Sequence, residues 1–124
     1  MVQEICLDSD ILIEISKNNL QLKKELENIE GNFSTTSVNL FEILSGERDN
    51  ENLDALIEDL NKLNFDESSA RAASKIFKSL KKKGNLIDAR DIFIGAICIA
   101  NNSTLFTHNK KHFDRLKEFG LKLR

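Results

Sequence analysis

The hydrophobic pattern changes period several times along the chain. Its first apolar run, Ile5-Cys6-Leu7, is closed by Asp8. A run this short, over 4–7, fits a buried strand of a parallel sheet. From Ile11 the period becomes helical, through Ile11, Leu12, Ile15 and Leu20, with Ser9 or Asp10 as the natural N-cap. A polar helix over 20–29 follows, with Leu22, Leu26 and Ile29 on one side and Gly31 as its C-terminal cap. The β-branched and aromatic stretch 33–36 predicts a second strand. Thr35, Thr36 or Ser37 then caps a helix over 38–44, where Leu40, Phe41, Ile43 and Leu44 cover most faces and Glu42 lies among them. Gly46 and residues 47–50 read as a loop. Leu53, Leu56, Ile57, Leu60 and Leu63 mark an amphipathic helix over 52–63, followed by a short third strand at 63–65. Asp66 caps a helix over 68–83 that buries Ala72, Ala73, Ile76, Phe77 and Leu80 and ends in Lys81, Lys82, Lys83 and Gly84.

The stretch 84–113 organises the rest. Its run 92–100 carries no charge and is apolar on every face, the pattern of a helix buried at the centre of a fold. Yet the first turn of that helix holds Asp88, Arg90 and Asp91, and charge at the mouth of a buried helix is costly unless paired. A strand over 103–107 follows and delivers Thr107, His108 and Asn109 to its end. A short basic helix over 110–119 turns Phe113, Leu116 and Phe119 inward, and Gly120 stops it. Residues 121–123 alternate apolar and basic as an edge strand, where a lysine discourages further pairing. Strand and helix alternate without repeats. The pattern predicts a three-layer α/β fold over 1–124 as one domain, with a central, mainly parallel sheet of four to five strands and helices on both faces.

Composition narrows the class. The 124 residues are 40% hydrophobic, enough for a core, and the absence of proline with only five glycines argues against long linkers. Cys6 and Cys98 both sit in apolar runs, as expected for packing residues in a reducing compartment. Glu4 and Asp8 interrupt any signal-peptide pattern, and no apolar run approaches the roughly 18 residues of a membrane helix, so the expected location is cytoplasmic. The net charge of −2 hides an asymmetry. From Ser103 onward six bases face two acids, an excess of four positive charges, which leaves the remainder at −6. An acidic cluster beside a basic edge suits a metal-dependent enzyme acting on a polyanion. The lysine run 81–83 has two readings, favourable charge at a helix C-terminus or an RNA contact.

The carboxylates form one constellation. Asp8 follows the first strand, Glu42 lies in the helix after the second, Asp88 and Asp91 share a face of the buried helix's first turn, and Asn109 follows the next strand. Parallel strands would bring these to one edge of the sheet, where ligands bind in open α/β folds. Crowded carboxylates repel, and a divalent cation relieves that. Oxygen donors select Mg²⁺ or Mn²⁺ over zinc. His108 and His112 are an i, i+4 pair without other soft ligands, so no zinc site is expected. Such a centre suits phosphodiester hydrolysis, with Thr107 and Asn109 available to bond a metal-bound water or a phosphate oxygen.

The order Asp8, FEILSG around Glu42, GNLIDARDIFIGA and LFTHNKKHF resembles the PIN-domain family over essentially the whole chain, most closely the VapC-type ribonuclease toxins of toxin–antitoxin pairs. The most diagnostic parts are the D-x-x-I-G-A beginning at Asp91 and the T-x-N-x-x-x-F from Thr107 to Phe113. The resemblance implies a Mg²⁺- or Mn²⁺-dependent endoribonuclease, usually dimeric, neutralised by a small antitoxin. It implies Asp8, Glu42 and Asp91 as core acids and metal ligands, and Asp88 as an auxiliary acid. Ser9 and Asp10 stand at the flanking polar positions. The family's fourth acid often falls where this chain has Asn109, which bears on a second metal. Lys110, Lys111 and Arg115 are the expected RNA contacts. Two alternatives stand beside this reading. One is a PIN-like module that binds RNA or protein without cutting. The other is a phosphatase of the haloacid dehalogenase type, in which ICLDSDIL would carry Asp8 as nucleophile, supported by Thr36 and Lys81.

Overall fold

A computed structural model describes residues 2–46 and 51–124. Five strands, β1 (Gln3–Leu7), β2 (Gly31–Thr36), β3 (Asn61–Leu63), β4 (Thr104–Phe106) and β5 (Lys122–Leu123), form one sheet in the order β3-β2-β1-β4-β5. Every pairing is parallel. The helices are α1 (Ser9–Ser16), α2 (Leu20–Glu27), α3 (Ser37–Leu44), α4 (Glu51–Asp59), α5 (Glu67–Lys82), α6 (Ala89–Ala100) and α7 (Lys110–Phe113), the last followed by a 3₁₀ turn over Asp114–Phe119.

The period-2 alternation of the inner strands divides the core in two. Cys6 and Leu105, opposite one another in the β1–β4 register, face the layer built by α5, α6 and α7, with Ile76, Leu80, Ile94 and Leu116. Ile5, Leu7 and Phe106 face the layer of α1, α2 and α4, with Ile11, Leu12, Leu53 and Ile57. Both cysteines are buried free thiols in the first of these layers. On α6, residues 92 and 94–98 are all buried, as its all-round apolar pattern requires. Each fully buried isoleucine contributes about 1.5–3 kcal/mol, and Ile92, Ile94 and Ile97 together anchor the charged first turn of α6 at the sheet edge.

Several expectations shift. Helix α4 ends at Asp59, because residues 61–63 pair with Ser34–Thr36 and sheet pairing overrides the continuing helical period of Leu60 and Leu63. The third strand is thus 61–63 and not 63–65. Gly31 does not cap α2, whose C-cap is Asn28. It opens β2 instead, where a Cβ would lie 2.7 Å from the Gln3 carbonyl oxygen. Phe77 is exposed, because the inner face of α5 is set by Ala73, Ile76 and Leu80; the Lys81 ammonium lies 5.9 Å from its ring centre. Helix α3 is less enclosed than expected, with Phe41 and Leu44 exposed. The basic segment 110–119 is a single α-helical turn running into a 3₁₀ turn, with Gly120 in the left-handed region at φ 102°. Residues 47–50, read as a loop, lie outside the described residues.

Candidate active site

The strand order reverses direction between β1 and β4: β2 and β3 lie on one side of β1, β4 and β5 on the other. The carboxyl ends of β1 and β4 therefore flank the crevice where open parallel sheets place ligands. Asp8 leaves β1 there and caps α1 through the Ser9 N–H, so the capping role falls to Asp8 and not to Ser9 or Asp10. Thr107 leaves β4 opposite it, and its hydroxyl donates to Asp8 Oδ2 at 2.7 Å.

Asp8 is 6% exposed, and both its carboxylate oxygens accept hydrogen bonds. Its Oδ1 accepts from the Ser9 N–H at 2.9 Å and from the Asn39 amide at 2.8 Å. Burial raises its pKa, the Thr107 hydroxyl opposes that, and the nearby Asp10 charge adds to it. Asn39 is completely buried one turn before Glu42 on α3. It accepts from the Thr36 hydroxyl at 2.7 Å and donates to Ser9 Oγ at 2.9 Å. The Ser9 hydroxyl then donates to Glu42 Oε1 at 2.9 Å. One amide and two hydroxyls thus fix the relative positions of Asp8 and Glu42.

On the far side, Asp88 is the N-cap of α6, and its carboxylate is held by the Arg90 backbone and guanidinium at 2.8 and 3.3 Å. The Arg90 side-chain hydrogen bond, first, and its backbone N–H, second, keep the Asp88 pKa below the usual carboxylate range. Arg90 also reaches Glu42 Oε2 at 3.9 Å. Asp91, in the first turn of α6, is half-buried. Burial chiefly pushes its pKa up from 3.8 to about 6, with the charges of Asp88, Asp8 and Glu42 adding and His112 opposing. A cavity of about 380 Å³ is lined by Asp8, Ser9, Asp10, Glu42, Asp88, Arg90, Asp91, Asn109 and His112, with Ile13 and Phe113 as its apolar walls.

The three acids singled out in the sequence, with Asp88, Ser9 and Asn109, therefore meet in one cavity. Thr107 is buried against Asp8 and positions that carboxylate; its hydroxyl is not turned to the open site. Asn109 donates its side-chain amide to Asp10 at 3.2 Å. Lys110 and Lys111 are exposed on α7 and do not line the acidic cavity; Lys110 lines a separate groove with His108 and Arg124, and the Arg115 guanidinium donates to the Asn85 carbonyl at 3.0 Å. The two histidines part company: His108 lines a separate groove with Asn19 and Glu25, and His112 lines the acidic cavity. Lys81 does not line the cavity, and Thr36 is completely buried, its hydroxyl donating to the Asn39 amide oxygen. Neither is placed as the phosphatase alternative requires.

Asn39, Asp10 and Arg90 were not singled out as site residues from the sequence, nor was His112 except as half of a histidine pair. Asn39 carried a usable signal, a polar residue three before Glu42 on the same helical face. Asp10 lies two residues after Asp8, but its link to residues 107–109 is purely tertiary. The donor set fits a hard divalent cation: carboxylate oxygens from three elements share one cavity, two of them with raised pKa. They are not drawn in around one point, since among the described residues no three Asp, Glu, His or Cys side chains form a ready cage.

The PIN domain profile matches residues 5–118. The chain belongs to the PIN-domain family. Among curated relatives, this PIN-domain chain is 37% identical over 122 residues to Ribonuclease VapC1 of Methanocaldococcus jannaschii, covering 97% of the chain and 86% of that protein. It is 38% identical over 92 residues to Ribonuclease VapC3 of the same organism, covering 73% and 94%. The PIN fold recurs in solved structures. VapBC-1 from nontypeable Haemophilus influenzae matches with a TM-score of 0.83 at 22% identity, covering 100% of this chain and 97% of that one. VapBC2 from Rickettsia felis, bound to a DNA fragment from their promoter, matches at 0.81 and 24%, covering 100% and 98%.

Proposed function

We propose that this chain is a divalent-metal-dependent endoribonuclease and the toxin of a toxin–antitoxin pair. The observation that carries the reading is the convergence of Asp8, Glu42 and Asp91, from β1, α3 and α6, on one cavity at the switch point of the sheet. The names of the VapC ribonucleases it resembles support the same activity. The VapBC complexes among its structural neighbours support a small antitoxin as partner.

Asp8, Glu42 and Asp91 would hold Mg²⁺ or Mn²⁺, with Asp88 as an auxiliary acid. When bound, the cation supplies positive charge to the phosphodiester oxygens and acidifies a bound water. The chain's own residues set the geometry. Asn39 and Thr107 lock both oxygens of Asp8. Lys110 and Lys111, exposed on α7, hold the RNA backbone, with Arg115 as a further contact. The chain acts as a homodimer in the cytoplasm, as one PIN domain.

The test is cleavage of a structured RNA mixture by purified, antitoxin-free protein with Mg²⁺, with Mn²⁺ and with chelator, beside Asp8→Asn and Asp91→Asn. Metal-dependent cutting that vanishes in both variants is expected. A non-catalytic RNA- or protein-binding module is the second reading, favoured by the spread of the carboxylates away from a common point. Metal-independent behaviour and no heat of Mn²⁺ binding by calorimetry would select it.

A further inference from the structure

We infer that His112 is a nitrogen donor to the cation of the Asp8–Glu42–Asp91 site and tilts that site from Mg²⁺ toward Mn²⁺; this rests on the metal-dependent reading above. His112 lies on α7 with its side chain 63% exposed, and it lines the same cavity as the three acids. Its Nδ1 stands 3.9 Å from Asp91 Oδ2. That is beyond hydrogen-bond range, so the imidazole is not committed to Asp91. Two donors each about 2.1 Å from one ion lie roughly 3.0 Å apart when adjacent and about 4.2 Å apart when opposite. A separation of 3.9 Å lies between those two values, so the exposed imidazole turns a little to bring both groups onto one ion.

The neighbouring candidates are engaged elsewhere. Asn109 gives its side-chain N–H to Asp10 and its backbone N–H to Thr107, so it could offer a cation only its amide oxygen. Asp10 accepts from the His108 N–H and the Asn109 amide on one oxygen and from the Ile11 N–H on the other. His108 faces a different groove, so the pair cannot build a two-histidine zinc site. What remains is a single imidazole among carboxylates. Mg²⁺ takes oxygen ligands almost exclusively, whereas Mn²⁺, though the weakest binder of the first-row divalent series, accepts an imidazole nitrogen more readily than Mg²⁺ does.

The test uses tag-free, full-length protein and Mn²⁺ alone as probe. Electron spin-echo envelope modulation of the Mn²⁺-loaded protein is expected to show ¹⁴N coupling. His112→Ala removes it and His108→Ala leaves it. Competition calorimetry should show the Mn²⁺-over-Mg²⁺ preference falling about tenfold in His112→Ala, the lower end of what loss of a partner in a metal site does. The exposed side chain makes the variant's fold secure, and circular dichroism checks it. Mn²⁺ bound without nitrogen coupling, or coupling that survives His112→Ala, overturns the inference while the metal-dependent reading stands. Mn²⁺ that does not bind the wild-type chain overturns both.

Discussion

Asp91 carries opposing demands: it must be buried enough to bind a cation tightly and yet be ionised to do so. Its carboxyl is pushed up to about 6, chiefly by burial. Between the ordinary value near 3.8 and about 6, the folded chain retains a proton that the unfolded chain has released. Stability therefore falls as pH rises through that window and levels off above it. Thermal unfolding in chelator at pH 4 to 7 should show this decline, and Asp91→Asn should make it shallower, leaving the part that the raised carboxyl of Asp8 contributes, while keeping the fold and abolishing tight Mn²⁺ binding. A variant with the wild-type pH profile would remove Asp91 as its source. Asn39 is the complementary case, a neutral amide that donates to Asp8 directly and reaches Glu42 through the Ser9 hydroxyl. Hydrogen bonds to charged groups are worth about 1.5–3 kcal/mol, so Asn39→Ala should lower stability by about that much in urea titration and weaken metal affinity with it.

At the scale of elements, Gly31 shows how one position sets register. β1 and β2 start together at Gln3 and Gly31, and a Cβ on residue 31 would meet the Gln3 carbonyl oxygen, which is backbone and cannot rotate away. Gly31→Ala is expected to lower the melting temperature and to speed amide exchange at the start of both strands; exchange unchanged from wild type would show that the sheet edge simply shifts. The elements themselves were largely legible. Short apolar runs marked β1 and β4, and the uncharged stretch 92–100 marked α6, because burial on all sides leaves no polar positions in the pattern. The boundaries near 60–65 were not legible. Leu60 and Leu63 continue a helical period there, and only pairing with β2 decides for a strand. Phe77 misled for a related reason: an aromatic at helical spacing reads as core, but the width of the buried stripe on α5 is set by its partner helix.

At the scale of the molecule, the sheet brings an acidic cavity and a basic α7 side by side. If Lys110 and Lys111 each neutralise one phosphate, their joint replacement by Ala should reduce the slope of log affinity against log salt by about 1.4 for single-stranded RNA. A slope equal to wild type, measured by fluorescence anisotropy across a salt series, would place the RNA on another face. Among the described residues no helix is long and apolar enough to cross a membrane.

The sequence by itself determined which residues could be acids of a site and which segments could be buried, since both follow from residue chemistry and local period. It thereby marked Asp8, Glu42 and Asp91, and the succession of strand and helix that carries them. Only the tertiary structure decided the rest. It made Thr107 a partner of Asp8 across 99 residues, bound Asp10 to the end of β4, split His108 from His112, and hid Asn39 between two carboxylates. Those relations depend on strand order and on the packing of α3 and α7 against it, and no local pattern encodes a distance between segments that meet only when the sheet closes.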